Sequence, residues 1–381
     1  MALTIAVNTR LLIKNKLEGI GWFTYENLKR IVRNHPEVNF YFFFDRQPDA
    51  EFIFAENVTP IVLQPPARHP FLFIIWFEWS VNRALKRLKP DLFLSPDGYL
   101  SLLNNTPDLA VMHDLNFEHF PKDLPFLVRK YYRWFFPRFA QKASRIATVS
   151  TFSKNDIAAQ YGVPLKDIDV VYNGVNERFT PISAAEIEET KAQYASGSDY
   201  FLFVGSLHPR KNLVRLFKAF DLFCAESDQK IKLMVVGEKK WWTAPIRDAF
   251  EGMKYQQEVV FCGRLNAEQL HKVTASAFAI TYVSYFEGFG IPIVEAFRCG
   301  VPVITANVTS MPEVAGDAAL LVDPFSEQSI AEAMHEMANN SEKRLQLIEK
   351  GLKRAKLYSW DKAAQKLWES ILTTIDQSTE N

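Results

Sequence analysis

Cysteine is scarce in this sequence. Among its 381 residues there are three, Cys224, Cys262 and Cys299, widely separated and without a CxxC pair. That excludes a disulfide framework and a thiolate metal knot, and leaves buried reduced thiols as the expectation. Net charge is missing too: 44 basic residues balance 44 acidic ones, so no global field draws the chain to nucleic acid. Long apolar runs are also lacking. The longest, Phe71 to Phe77, stops at Glu78, far short of the ~20 residues that cross a bilayer. The amino terminus, Met1 to Val7, has neither the basic flank nor the apolar length of a secretory signal. It reads as a first strand, and the expected location is the cytoplasm.

What is abundant is core material. Hydrophobic residues make up 48% of the chain and phenylalanine alone numbers 31, which excludes bulk disorder. The length exceeds one ordinary core and calls for two or three domains. One stretch, Phe126 to Lys142, mixes aromatics with Arg129, Lys130, Arg133 and Arg138. It is read as a core helix with a solvated basic side, and a peripheral contact with an anionic membrane is the alternative.

Short β-branched or aromatic runs alternate with helical patterns, the signature of βαβ units and parallel sheets. Strands are predicted near 3–8, 38–44, 58–63, 91–95, 108–112, 145–149 and 169–172. A polar stretch follows Tyr172-Asn173-Gly174, and a second series begins, near 200–204, 231–236, 258–262, 278–283, 301–305 and 319–322. Two doubly wound α/β domains result. From Asn212 to Ala225, Leu213, Leu216, Phe217, Phe220 and Phe223 fall on one helical face. Ser359 through Ile375 reads as a capped terminal helix. No internal repeat or low-complexity segment interrupts the pattern.

Four clusters carry chemistry. In Glu287-Gly288-Phe289-Gly290-Ile291-Pro292-Ile293-Val294-Glu295, two glycines let backbone approach a ligand and Pro292 suits a helix start. The helix end would face phosphate, Glu287 sugar hydroxyls and Glu295 ribose hydroxyls. The bland alternative makes both carboxylates helix caps. The second cluster, Gly205 through Asn212, follows a strand and sets Arg210 and Lys211 ahead of a helix, where open α/β sheets bind ligands. Arg210 would form bidentate bonds to phosphate and Lys211 add a point charge, unless both are plain surface charge. The third is Gly19-Ile20-Gly21, too far from the strand ending near Asn8 and one glycine short for a dinucleotide fingerprint. A flexible loop over the cleft is expected there, or a simple surface turn. In the fourth, His113 would donate to a sugar hydroxyl while Asp114 orients it or meets an acceptor hydroxyl, or the two form a satisfied buried pair. The remaining histidines show no metal-ligand spacing.

These pieces in this order resemble the retaining glycosyltransferase family 4. The likeness rests on Gly19-Ile20-Gly21, His113-Asp114, Ser150 to Ser153, Tyr172 to Val175, Gly205 with Arg210-Lys211-Asn212, Glu287 with Glu295, and Ser310-Met311-Pro312-Glu313-Val314. The resemblance implies the GT-B fold, two Rossmann-like doubly wound domains facing across a cleft. An acceptor-side domain would take 1–175, a nucleotide-sugar-binding domain 176–357, and a terminal helix 358–381 would cross back to the first domain. It makes Arg210 and Lys211 the leaving-phosphate clamp and brings Gly21 to the β-phosphate. Gly19, Gly205, Gly288, Phe289, Gly290 and Ile291 join it around the donor, with Arg264 and Leu265 near the base. His208 departs from the acid often found in that loop.

The implied reaction moves a hexose with retention of anomeric configuration, without a protein nucleophile, metal ion or cofactor, since the nucleotide diphosphate sugar is a substrate. The segment from Gly300 to Pro324 looks like bacterial polysaccharide mannosyltransferases, so GDP-mannose leads among donors. A glycan or lipid-linked saccharide in cell-surface polysaccharide synthesis is the matching acceptor, and nucleic acid is not a partner. Rival readings are a UDP-sugar-dependent transferase, an epimerase or phosphorylase of the same fold, and a non-catalytic sugar-nucleotide-binding protein.

Overall fold

The computed structural model describes residues 2–67, 69–239 and 242–379. Met1, which begins the amino-terminal stretch considered above, lies outside the described residues, as do Glu380 and Asn381 at the end of the terminal segment. The chain divides into two units, one formed by Met1–Gly174 with Ser359–Asn381 and the other by Val175–Tyr358.

In the first unit seven strands pair in parallel: β1 (Thr4–Asn8), β2 (Asn39–Phe44), β3 (Val58–Val62), β4 (Leu92–Ser95), β5 (Asp108–Val111), β6 (Arg145–Thr148) and β7 (Ile168–Val170). Their order is β3-β2-β1-β4-β5-β6-β7. The sheet grows outward from β1 in both directions, so the winding reverses between β1 and β4. Val7 lies opposite Phe42 on one side and Leu94 on the other. Strands covered on both faces must be apolar throughout, which is why Ile5, Ala6 and Val7 are consecutive and fully buried.

The terminal helix, Trp360–Thr379, packs against the helix Gly19–Asn34 of this same unit. Arg30 Nε reaches Asp361 Oδ1 at 2.6 Å, and the Phe23 ring stands edge-on to Trp360. Gly174 lies so close to Trp360 and Ser359 that no side chain would fit there. The helix Phe126–Lys142 buries Tyr131, Phe136, Phe139 and Ala140 but leaves Phe126, Leu127 and Trp134 exposed.

One expectation is corrected here. Gly19-Ile20-Gly21 is not a loop: the helix Gly19–Asn34 begins at Gly19, with Glu18 extended at its cap and accepting from the Trp22 N–H. A Cβ at Gly21 would lie 3.1 Å from the Leu17 side chain and 3.3 Å from the Leu11 carbonyl. Gly21 therefore lets the preceding chain close onto the first helical turn.

The second unit has six parallel strands, β8 (Tyr200–Val204), β9 (Lys232–Val236), β10 (Val259–Gly263), β11 (Ala279–Tyr282), β12 (Val303–Ala306) and β13 (Ala319–Val322). Their order, β10-β9-β8-β11-β12-β13, reverses between β8 and β11. The helix Leu213–Glu226 presses Leu213, Leu216, Phe217, Phe220 and Phe223 into the core, all fully buried. Truncating one such phenylalanine to alanine costs about 3–5 kcal/mol. The three cysteines are free; Cys299 is buried, whereas Cys224 and Cys262 are half-buried rather than enclosed. Among the described residues no helix is long and apolar enough to cross a membrane.

Candidate functional site

The strand order reverses between β8 and β11, and open parallel sheets bind ligands at the carboxyl ends of strands flanking such a reversal. Two loops meet there. After β8 the chain turns at Gly205, whose φ of 150° suits glycine, and runs into a short turn, Pro209–Lys211. His208, the departure from the resemblance, caps that turn by accepting from the Arg210 N–H at 3.3 Å. Asn212 then takes a left-handed φ of 63° and donates its side-chain amide to the carbonyls of Val283 and Pro324. After β11, the Tyr285 N–H donates to the Arg210 carbonyl at 3.0 Å, tying the loops together.

These turns bring three predicted residues into one cluster. Arg210 Nη1 lies 2.6 Å from Glu287 Oε2 and also donates to the Phe286 carbonyl at 3.1 Å. Lys211 Nζ lies 2.7 Å from Glu287 Oε1. Lys211 is only 8% exposed and Glu287 5%, so neither is plain surface charge or an exposed cap. Burial opposes charge on Glu287, yet Arg210 and Lys211 outweigh it and pull the carboxyl down to about 2. The cluster is therefore two cations and one anion at neutral pH, with a surplus of one positive charge for an anionic ligand.

Sequence reasoning missed Tyr282 and Ser310. Lys211 Nζ donates to Tyr282 Oη at 2.6 Å and lies 4.7 Å from the centre of its ring. Ser310 Oγ lies 2.9 Å from the Glu287 carbonyl and 3.0 Å from that of Phe289, which its hydroxyl shares as acceptors. The signal for Ser310 was its place in the quoted Ser-Met-Pro-Glu-Val string. Tyr282 looked like any strand residue.

The predicted helix start is present: Ile291–Arg298 follows Gly290, whose φ of 104° and close contact with Ile293 and Tyr282 favour glycine. Phe289 is buried beside it, against Tyr358. Glu295 sits half-buried in this helix, and its carboxylate makes no hydrogen bond among the described residues. Burial alone pushes it up to about 7. Arg264 and Leu265 follow Gly263 at the end of β10; Arg264 is exposed, with Glu238 at 3.6 Å.

His113 and Asp114 follow β5 in the first unit, and their predicted roles need correction. His113 Nε2 lies 2.9 Å from the Pro96 carbonyl. A carbonyl only accepts, so Nε2 carries the proton, and the neutral ring presents Nδ1 as an acceptor rather than a donor to a hydroxyl. Burial lowers its pKa, against the pull of that carbonyl and of Asp114. Asp114 does not hold the ring: its Oδ1 accepts from the Asn116 N–H at 3.0 Å. The Phe23 ring, edge-on at 4.9 Å, fixes His113 instead. Among the described residues no group of three His, Cys, Asp or Glu is placed to hold a metal ion.

Comparison with known proteins follows the division of the chain. Residues 17–179 match the model described as Glycosyltransferase Family 4, and residues 186–354 that described as Glycosyl transferases group 1. O-antigen chain mannosyltransferase B of Escherichia coli is 29% identical over 369 residues, 92% of this chain and 94% of that protein. O-antigen chain mannosyltransferase RfbU of Salmonella typhimurium is 25% identical over 274 residues, 72% of each chain. Among solved structures, Anabaena HepE in complex with UDP-glucose aligns with a TM-score of 0.75 at 18% identity, covering 97% of this chain and all of that one. At that identity the likeness shows the fold, which is GT-B.

Proposed function

The chain belongs to the glycosyltransferases, family 4 by its first half and group 1 by its second, and from that premise we propose that it transfers mannose from GDP-mannose, with retention of configuration and without a metal ion, to a saccharide acceptor in cell-surface polysaccharide synthesis. The names of the two bacterial relatives support the choice of sugar and pathway class. The observation that carries the chemistry is the Arg210–Glu287–Lys211 cluster at the β8/β11 reversal, with Glu287 and Lys211 buried and Arg210 half-buried.

In this reading the donor diphosphate meets Arg210 and Lys211. The C1–O bond breaks, its electron pair stays on the phosphate oxygen, and the two cations stabilise that developing charge. Because Glu287 and Tyr282 hold the cations before the donor arrives, little reorganisation is needed at the moment of reaction. The acceptor oxygen bonds to C1 on the face the phosphate leaves, and its proton passes to a phosphate oxygen. Glu295 accepts from the ribose hydroxyls, and Gly288, Gly290 and Ile291 bring backbone to the phosphates. Gly205 completes the donor contacts of the second unit, with Arg264 and Leu265 toward the base. His113 Nδ1 accepts from a hydroxyl of the transferred sugar, and Asp114 lies on the acceptor side.

Peripheral contact with an anionic membrane belongs to the same reading. Phe126, Leu127 and Trp134 are each more than half exposed beside Arg129, Lys130 and Arg133, and Lys130 Nζ lies 4.6 Å from the Phe126 ring centre. Cosedimentation with anionic but not zwitterionic vesicles is expected; equal recovery with both would remove this contact.

The donor is tested by thermal shift with GDP-mannose, UDP-glucose and ADP-glucose. A ligand at ~100 times its dissociation constant adds roughly 2.7 kcal/mol to stability. A shift with UDP-glucose and none with GDP-mannose would overturn the donor choice. The anomeric configuration of the product, read by NMR, tests retention.

A further inference from the structure

The first unit reverses its winding between β1 and β4, and a second charged pair stands at that reversal. Asn8 ends β1 and Ser95 ends β4; Arg10 and Asp97 follow each by two residues. Arg10 Nε donates to Asp97 Oδ2 at 2.7 Å, and both residues are more than nine-tenths buried. The other carboxylate oxygen, Asp97 Oδ1, accepts from Asn8 Nδ2 at 2.8 Å and from Ser95 Oγ at 3.2 Å. The carboxylate is thus built onto the carboxyl ends of two central strands and holds the guanidinium by one nitrogen.

Aromatic rings hold the rest. The Arg10 guanidinium carbon lies 4.3 Å from the ring centre of Tyr99, 5.0 Å from Phe73 and 5.7 Å from Phe77. Rings stacked on a planar cation occupy its faces and leave its N–H edge. Both terminal nitrogens, Nη1 and Nη2, make no hydrogen bond among the described residues. Burial opposes the charge, but Asp97 more than offsets it, so the group remains a cation. A buried guanidinium with a two-nitrogen edge unused, at the place where a doubly wound sheet takes its ligand, is a receptor for a pair of anionic oxygens.

We infer that Arg10 is an anion-binding residue of the first unit, and that it takes a phosphate carried by the acceptor. The inference rests on the transferase reading for the word acceptor, since the donor's diphosphate is assigned to Arg210 and Lys211. The same chemistry serves a lipid-linked diphosphate saccharide and a soluble phosphorylated one.

The full chain, saturated with a nucleoside diphosphate to occupy the second unit, is titrated calorimetrically with dodecyl diphosphate and with inorganic pyrophosphate. The wild type is expected to bind one further equivalent, and Arg10→Gln to bind it about ten- to hundred-fold more weakly, the range of one charge-assisted contact. Tighter binding of dodecyl diphosphate supports a lipid-linked source; equal binding of the two supports a soluble one. No further equivalent in the wild type, or equal affinity in the variant, overturns the inference. Because Arg10→Gln leaves Asp97 buried without its cation, the double variant Arg10→Gln/Asp97→Asn is measured alongside. In transfer assays, the variants are expected to raise KM for a diphosphate-bearing acceptor at least ten times more than for the neutral alkyl glycoside of the same saccharide. Equal losses on both acceptors mark a purely structural residue and overturn it. Absence of turnover with every donor would count against the transferase reading alone, because the titration needs no turnover.

Discussion

Glu287 gives one carboxylate oxygen to Arg210 at 2.6 Å and the other to Lys211 at 2.7 Å. That division makes the acid a spacer between two like charges as well as a counterion. Removing it leaves two cations crowded in a buried site. Glu287→Gln is expected to lose about 3–5 kcal/mol in denaturant unfolding, the cost of breaking a buried pair, and turnover should fall at least about a hundred-fold. A nucleoside diphosphate should restore more stability to the variant than it adds to the wild type, because phosphate replaces the missing anion. Equal increments would remove the spacer role.

Tyr282→Phe tests the hydroxyl that accepts from Lys211. Loss of this buried acceptor is expected to cost about 1–3 kcal/mol of stability and to weaken donor binding with little change in acceptor KM. Unaltered donor affinity in fluorescence titration would show that Lys211 does not depend on Tyr282.

In the proposed reading, Glu295 gives nucleotide binding a pH dependence. Its folded carboxyl is raised to about 7, so it is largely protonated at pH 6 and largely ionised at pH 8. An ionised carboxylate is the better acceptor for ribose hydroxyls, so nucleotide affinity is expected to rise across this window, and Glu295→Gln to flatten the rise. For stability the signs oppose. The raised Glu295 contributes stability at low pH that is lost as pH climbs from its unfolded value of 4.5 through about 7. The depressed Glu287 contributes stability above 4.5 that is lost as pH falls through about 2. Unfolding midpoints across pH 2–8 for the two Gln variants separate the terms.

Burial lowers the His113 pKa and so favours the neutral ring. His113→Gln is expected to lower kcat/KM about ten-fold or more, through the lost acceptor at Nδ1, without moving either limb of the pH–rate profile above pH 7. A limb that disappears in the variant would make His113 a titrating acid or base instead.

The strands were legible because a sheet covered on both faces needs uninterrupted apolar runs, and β8, Tyr200 to Val204, is such a run. The Arg210-Lys211 and Glu287 clusters were legible for a related reason: charge placed just after such a run sits at a strand's carboxyl end. Contacts set by sheet order were not. Arg10 and Asp97 are 87 residues apart and meet only because β1 and β4 become neighbours. His113 took its tautomer from Pro96, 17 residues away in sequence, which its adjacent aspartate gave no reason to expect. Gly19 and Gly21 misled in the other direction. Glycine is a poor helix former, yet both lie in the first helical turn, and at Gly21 the preceding chain folds tightly over that turn.

Gly174 and Ser359 touch at the edge of the first unit, although the whole of Val175–Tyr358 lies between them in sequence. The polypeptide leaves and re-enters this unit at nearly one point. The second unit is thus an inserted cassette in covalent terms, and joining Gly174 to Ser359 by a few flexible residues should excise it while keeping the closing helix on its own sheet.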